Sequence, residues 1–173
     1  ASYINLNGMW DYCFTPSPNI PARFEGQLPV PFSPEAPLSG VGRRLSPDEF
    51  LWYRRSFTLR KQQKDQRYCS ISALWIRNAP YLLRETGGGA HGRIPSFTLD
   101  ITDIAEEASN ELLVRVRDYS DTSCYSRGKQ KLDKEDVYTA QSGIWQTVWL
   151  ELVPDPYISA VHLRRIMTIP AAA

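Results

Sequence analysis

The sequence is poor in cysteine and histidine and has no long apolar run, and each shortage excludes a class of protein. Cys13, Cys69 and Cys124 are too few and too widely spaced for a disulfide framework, so we expect a reduced, cytoplasmic protein. His91 and His162 stand at no ligand-like spacing from them, and we predict neither a metal site nor a cofactor. No segment approaches the roughly 18 apolar residues of a membrane helix, so we expect no membrane partner.

The charge balance excludes two further classes. The 173 residues include 20 Lys and Arg against 19 Asp and Glu, which leaves a net charge of +1. A basic field for nucleic acid and an acidic disordered tail are therefore both absent. A hydrophobic content of 42% and a charged content of 23% are ordinary for a soluble domain, and residues 1–173 are predicted to form one domain.

Alternating apolar residues predict an all-β protein. Short apolar segments are separated by loops rich in proline and glycine, a pattern that is typical of a β-sandwich. Residues 15–50 and 118–143 are predicted to be long loops, and residues 103–108 a helical turn. The predicted strands are residues 6–14, 51–59, 96–101, 111–117, 144–153 and 157–163.

The segment 141–151 concentrates aromatic area on one predicted strand. It begins with a turn and then places Trp145 and Trp149 on one face. Together with Trp52, these rings predict either a sandwich core or a platform on which a sugar stacks, and the core is the favoured interpretation.

Several blocks in order resemble one family. They are residues 4–10, residues 30–33 with 38–40, residues 52–57, and residues 110–118 through 149–151. This series is similar to the N-terminal sugar-binding domain of family 2 glycoside hydrolases, the β-galactosidases and β-glucuronidases. The resemblance implies a jelly-roll sandwich of the galactose-binding type. It also implies a (β/α)8 catalytic barrel elsewhere in the full-length protein, to which the domain lends loop residues.

Residues 68–96 depart from the family pattern, which would place two strands and a His-x-Gly-Gly-Tyr block there. Read in other frames with free codon choice, residues 70–82 and 85–96 can encode those missing elements. Residues 164–173 can be read in the same way. One hypothesis is that the sequence carries local frame shifts. The alternative is a divergent β-hairpin whose flexible turn is residues 87–89.

No catalytic residue is predicted in this chain. A retaining glycosidase needs two carboxylates about 5–5.5 Å apart, and in the family both are glutamates of the barrel. Glu111 follows Asn110, as the family acid/base follows an asparagine, but the pair opens a predicted strand and favours a structural interpretation. Because no alternation of strands with helices indicates a barrel, we expect the chain alone to be inactive.

The second long loop holds most of the candidate sugar-binding residues. Its mixture of carboxylate, amide and aromatic groups suits a carbohydrate partner. The resemblance carries the sugar-binding aspartate of the family over to Asp121, although a local loop cap is the alternative. Tyr125, Arg127 and Gln130 are further candidates in this loop.

The first long loop adds Ser33, which stands where some β-galactosidases have an asparagine that touches substrate. This departure weakens the case for galactose. Two arginine pairs, at 43–44 and 54–55, suit an acidic sugar through bidentate contacts, although salt bridges or domain contacts are the favoured interpretation.

We therefore expect a sugar-binding and support domain of a family 2 glycosidase. Two alternatives remain open. A stand-alone carbohydrate-binding module would expose its tryptophan rings. A non-catalytic interaction domain would bury them and expose an apolar patch instead.

Overall fold

A computed structural model describes residues 3–59, 66–72, 79–83, 86–90, 100–103, 105, 109–120, 122, 129–132, 138–154, 157–158 and 161–163. For the strands between residues 66 and 90 the description is limited to the backbone. Within these residues no helix has the length and apolar character needed to cross a membrane.

The larger of two main sheets has six antiparallel strands in the order β3-β2-β4-β8-β6-β7. Its strands are β2 (Gly8–Thr15), β3 (Gly26–Val30), β4 (Phe50–Thr58), β6 (Ala79–Leu83), β7 (Thr86–Ala90) and β8 (Ser109–Val116). The central pair, β4 and β8, is in register from Leu51 opposite Val116 to Thr58 opposite Ser109. This pair forms the longest ladder of the larger sheet.

The smaller sheet joins the two ends of the sequence. Its order is β1-β11-β5, with β1 at Tyr3–Asn5, β5 at Gln66–Ser72 and β11 at Trp149–Pro154. Tyr3 pairs with Glu151 and Asn5 with Trp149, both antiparallel. A separate ribbon pairs β9 (Gln130–Lys131) with β10 (Tyr138–Thr139).

The core lies between the two main sheets. Alternate residues of the larger sheet point inward, and Trp10, Tyr53 and Leu51 are fully buried. The smaller sheet supplies Leu150, and Leu6 lies just before the larger sheet begins. The indole nitrogen of Trp10 donates to the Leu6 carbonyl at 2.9 Å, so the largest core ring keeps its polar group satisfied. The predicted all-β sandwich is confirmed.

The outer face of the larger sheet is also covered in part. Cys13 and Trp52, paired across β2 and β4, face away from the core yet are buried. Residues 16–25 fold back over them, since the Arg115 guanidinium donates to the Pro18 carbonyl and Arg54 stacks on the Phe24 ring at 4.2 Å. A polar loop thus closes the side of the sheet that faces away from the core.

Two predicted elements near the N-terminus were wrong in extent. Residues 6–14 are not one strand, because the chain changes sheet at Leu6 and Asn7 before β2 begins at Gly8, which has φ +125°. The predicted loop 15–50 contains β3, which the sequence hides because Pro29 lies inside it. β3 is an edge strand of the larger sheet, where a missing N–H is tolerated.

Two further predictions failed at the other end of the chain. Strand β11 begins at Trp149 rather than at residue 144, since Gly143 has φ +78° and the Ile144 amide bonds a side chain. The predicted strand 157–163 is not a strand at its described residues, 157–158 and 161–163.

The glycine run was placed in the wrong element. Residues 87–89 lie inside strand β7, and the hairpin closes between Leu83 and Thr86, which pair with each other. A hairpin is therefore present, but its turn is not the glycine run. The frame-shift hypothesis for residues 68–96 and 164–173 stays a prediction.

Two other sequence predictions fall partly outside the described residues. Of the predicted strand 96–101, the structure describes residues 100–101. In the predicted helical turn 103–108, the Ala105 amide donates to the Ile101 carbonyl at 2.9 Å, as one turn of helix requires.

Candidate functional site: the loop rim

Four loop segments converge at one part of the surface. We call residues 31–49, 117–120, 129–132 and 138–145 the loop rim, because hydrogen bonds join the first of these segments to each of the other three. Arg44 donates to the Leu132 carbonyl, and Arg117 Nε donates to the Pro47 carbonyl at 3.2 Å. Both long loops predicted from the sequence therefore contribute to one surface.

The first loop is held in shape by its own polar groups. Its bonds include Ser39 Oγ to the Pro34 carbonyl at 3.0 Å and the Val41 amide to Ser39 Oγ at 3.1 Å. A short 3-10 turn at Pro37–Ser39 ends at Gly40, whose left-handed φ of +76° suits glycine. The apolar residues of residues 15–50 predict that this loop packs on the domain. Val30 is buried and Val41 packs against the core, but Leu38 is 80% exposed.

A half-buried carboxylate, Glu35, ties this loop to a distant segment. Its Oε1 accepts from Ser142 Oγ at 2.6 Å and from the Leu45 amide at 3.3 Å. Its Oε2 accepts from the Ser142 amide at 3.0 Å and from Ser33 Oγ. One side chain thus accepts four hydrogen bonds. Two of them come from backbone amides, those of Leu45 and Ser142, which lie outside the strands.

The next residues after Ser142 are fixed by a buried phenol. Tyr53 projects from β4 through the core, and its hydroxyl oxygen accepts from the Ile144 amide at 3.3 Å. Burial raises the pKa of Tyr53; the Ile144 amide lowers it, and the Glu35 charge raises it further. The phenol is therefore neutral across the physiological range and acts as a structural partner for the rim.

The second loop begins with a tight polar turn. The buried Asp118 accepts the Ser120 amide at 2.7 Å, and Ser120 has a φ of +46°. The Thr122 amide then returns to the Tyr119 carbonyl at 2.9 Å. The guanidinium of Arg117 lies over the Tyr119 ring at 4.5 Å, which braces the start of this loop.

The structure brings two of the five predicted sugar-binding residues to the rim. Ser33 is buried and donates to Glu35, while the Gln130 Oε1 accepts from the Gln141 amide at 3.0 Å. Because Ser142 also binds Glu35, a nearly continuous series of hydrogen bonds links both candidates. Asp121, Tyr125 and Arg127 lie outside the described residues, and their roles stay predictions.

The first arginine pair takes partners within the domain. Arg43 bonds Glu49 at 2.6 Å and approaches Glu25 at 3.8 Å, and its guanidinium lies 4.1 Å from the Phe14 ring centre. Arg44 donates to the Leu132 carbonyl. These contacts agree with the favoured interpretation of local pairing rather than capture of an acidic sugar.

The second pair behaves in the same way. Arg54 holds the Asp11 carboxylate with two hydrogen bonds at 2.7 and 2.9 Å. Arg55 donates to the Met9 carbonyl. Both guanidinium groups lie near β2, and the contacts that define the loop rim do not include them.

The tryptophans divide between two environments. Trp52 is 4% exposed, as expected for a buried ring, whereas Trp145 is 36% exposed at the rim. Trp149 is half-buried, and its indole nitrogen donates to Glu151 at 2.7 Å. The prediction of a core position is therefore wrong for Trp145. Trp52 is buried on the outer face of the larger sheet and Trp149 is only half-buried, and the core is filled instead by Ile144, Val148 and Leu150.

Sequence reasoning missed the residues that organise this surface. No local pattern in the sequence assigns a role to Glu35, Ser142 or Tyr53. Ser142 lies 107 positions from Glu35, so no local spacing could reveal the contact. Among the described residues, no three His, Cys, Asp or Glu side chains form a group that could hold a metal ion.

Solved structures with the same fold are glycosidases. A beta-glucuronidase from an uncultured Clostridium species matches 88% of this chain with a TM-score of 0.67 and 21% identity. One from Faecalibacterium prausnitzii matches 88% with a TM-score of 0.63 and 17% identity. The predicted family resemblance is confirmed. At these identities, the likeness to the glycoside hydrolase family 2 enzymes establishes the fold.

Sequence comparison adds a curated relative, and the match covers a small part of that protein. A provisionally named beta-glucuronidase of Formosa agariphila is 25% identical over 113 residues, which is 65% of this chain. The chain spans 13% of that protein's length and 29% of the length of the Clostridium enzyme. No protein-family model matches the chain. The match therefore concerns part of a glycosidase rather than a whole one.

Proposed function

We propose that this chain is the sugar-binding and support domain of a family 2 glycoside hydrolase. The observation that carries the proposal is the structural match to beta-glucuronidases over 88% of this chain but 29% of the enzyme. The domain supports a catalytic barrel outside this chain and lends loop-rim residues to the edge of its pocket. Both catalytic glutamates belong to that barrel.

The substrate class of the parent enzyme is a β-glycoside, and we favour a β-glucuronide. The relatives named above carry that activity in their names. Ser33, which stands where some β-galactosidases have an asparagine, points away from galactosides. We propose that Asp121, Gln130 and their neighbours contact the sugar, because carboxylate and amide oxygens accept hydrogen bonds from hydroxyl groups.

Parallel assays test this proposal. The longer natural protein should hydrolyse 4-nitrophenyl β-D-glucuronide faster than the matching galactoside, whereas the 173-residue chain should hydrolyse neither. Asp121→Asn in the longer protein should raise KM, with Asp103→Asn, at an exposed carboxylate outside the loop rim, as the control. Hydrolysis by the chain alone, or an inactive longer protein, would contradict the assignment.

A stand-alone carbohydrate-binding module is the second candidate, and the exposed Trp145 ring favours it. Flat aromatic rings bind the apolar faces of sugars. Isothermal titration of the 173-residue chain with D-glucuronate and D-galactose decides the point. Heat of binding that disappears in Trp145→Ala supports a module, and absence of binding leaves the support domain.

A non-catalytic interaction domain is the third candidate. Leu38 and Tyr138, at 80% and 70% exposure, place apolar area on the loop rim. Such area on a soluble domain is typical of a protein contact. Stable association of the chain with a separately produced barrel, without any sugar binding, would favour this role.

A further inference from the structure

We propose that Glu35 is the positioning residue of the loop rim: its carboxylate couples the first loop to residues 141–145, so that both move as one unit. The effect on sugar binding rests on the proposed function, but the coupling of the two segments does not. It starts from the four donors that Glu35 accepts, two from its own loop and two from Ser142.

The chemistry of those donors makes a carboxylate necessary. The Leu45 amide points at Oε1 and the Ser142 amide points at Oε2. A hydroxyl can rotate and become an acceptor, but a backbone N–H can only donate. Glutamine offers a single carbonyl oxygen, so in either orientation its NH2 group faces one of these two amides. The isosteric amide therefore breaks at least one of the two backbone contacts.

The position of Glu35 makes the coupling consequential. Ser33, a predicted sugar contact, donates to Glu35. On the other side, Ser142 is followed by Gly143, Ile144 and the exposed Trp145 ring. The Tyr53 hydroxyl fixes Ile144 from below, so Glu35 and Tyr53 hold this segment at two points. Between these points the chain has little freedom, and the orientation of Trp145 follows from both.

Other contacts across the rim do not replace this one. Arg44 reaches the Leu132 carbonyl from an exposed position, and the Gln130 amide oxygen binds the Gln141 amide. Neither of these contacts involves the backbone amides of Leu45 and Ser142, which both donate to Glu35. Charged acceptors also form stronger hydrogen bonds than neutral ones, roughly twofold.

A matched control exists in the same loop. Glu49 is also a carboxylate that accepts a backbone amide, from Ser46 at 3.3 Å, and it pairs with Arg43 at 2.6 Å. All of its partners lie between residues 25 and 49, so it makes no contact across the rim in the described part of the chain. Glu49→Gln therefore changes charge and local bonding without touching the proposed coupling.

Hydrogen exchange of the 173-residue chain tests the coupling directly. In Glu35→Gln, the amide of Leu45, that of Ser142, or both should exchange about tenfold faster, while core amides such as that of Val114 stay unchanged. Glu49→Gln should leave the exchange rate of the Ser142 amide at its wild-type value.

Two outcomes would overturn the inference. In one, Glu35→Gln leaves the exchange of both the Leu45 and the Ser142 amide unchanged; in the other, Glu49→Gln has an equal effect on the Ser142 amide. If Glu35→Gln unfolds the chain, Ser142→Ala replaces it as the variant. That change removes the Ser142 hydroxyl donor and keeps both backbone amides. We therefore expect a folded protein whose Ser142 amide exchanges about threefold faster than in the wild type.

Kinetics of the longer protein separate this inference from the proposed function. Glu35→Gln should raise KM several-fold with kcat within about twofold, since the rim affects binding rather than chemistry. Altered exchange at unchanged KM would refute the positioning role at the sugar. A wild-type protein without glycosidase activity would refute the proposed function and leave the measured coupling in place.

Discussion

A Cβ atom on Gly143 would lie 2.0 Å from the hydroxyl oxygen of Tyr53. No real Cβ contact is that short, and the φ of +78° at Gly143 also disfavours any L side chain. The tyrosine hydroxyl therefore occupies the space that any other residue would need. Because the same hydroxyl accepts the Ile144 amide, glycine and tyrosine are required together.

Gly143→Ala should destabilise the fold by about 2–5 kcal/mol, the sum of a left-handed backbone and an overpacked site. The control is Gly42→Ala, where φ is +63° but nothing lies within 4 Å of the added Cβ. That variant should lose about 1 kcal/mol. Urea unfolding followed by tryptophan fluorescence measures both, and equal losses would contradict the steric argument.

Tyr53→Phe should cost about 1–3 kcal/mol, because it leaves the buried Ile144 amide without an acceptor. The ring still packs edge-on against Trp10, 6.3 Å away, so most of the core contact survives. Tyr138→Phe, at an exposed tyrosine, should change stability by less than about 0.5 kcal/mol. The same urea titration compares them, and a neutral Tyr53→Phe would disprove the structural role of the hydroxyl.

Asp11→Asn should cost no more than about 1 kcal/mol at pH 7, because the Arg54 pair is partly exposed. Burial acts to raise the pKa of Asp11, but hydrogen bonds from Gln27 and Arg54 and the Arg54 charge lower it overall. The contribution is thus complete above the ordinary value of 3.8 and disappears as pH falls through the lower folded-state pKa.

Unfolding midpoints of wild type and Asp11→Asn, measured from pH 7 down to pH 2, check this dependence. The two curves should converge below pH 3.8. A difference that stays constant down to pH 2 would show that the pair does not titrate as described.

Cys13 should react slowly with iodoacetamide in the folded chain. Burial raises the pKa of its thiol, the Glu25 charge and hydrogen bond raise it further, and Arg43 offsets part of the rise. Less thiolate and less access together should slow alkylation by about tenfold or more relative to the urea-unfolded chain. Peptide mass spectrometry gives the rate at Cys13, and equal rates in both states would contradict its burial.

The central strands could be predicted from sequence because their signals are local. In β4 and β8 apolar residues recur at every second position, such as Leu51 and Tyr53 in β4 and Leu112 and Val114 in β8, and these face the core. Strand β3 could not be predicted, since whether Pro29 is tolerated depends on its place at a sheet edge.

The rim was predictable as a region but not as a network. Loop length and composition indicated residues 118–143, and the family resemblance added Ser33. The Glu35 contact with Ser142 joins positions that no periodic pattern relates. In the same way, Trp145 follows a left-handed Gly143, so its exposure depends on a backbone turn rather than on hydrophobic alternation.

The pairing of β1 with β11 sets an order of events during synthesis. Almost the whole domain is synthesised between Tyr3 and its partner Glu151. At roughly 5–20 residues per second, the first strand waits on the order of ten seconds for the strand it pairs with. Until then β1 lacks the central strand of its own sheet, which holds Ile4 against the core. Nascent chains that stall before β11 should therefore be clients for chaperones and proteases.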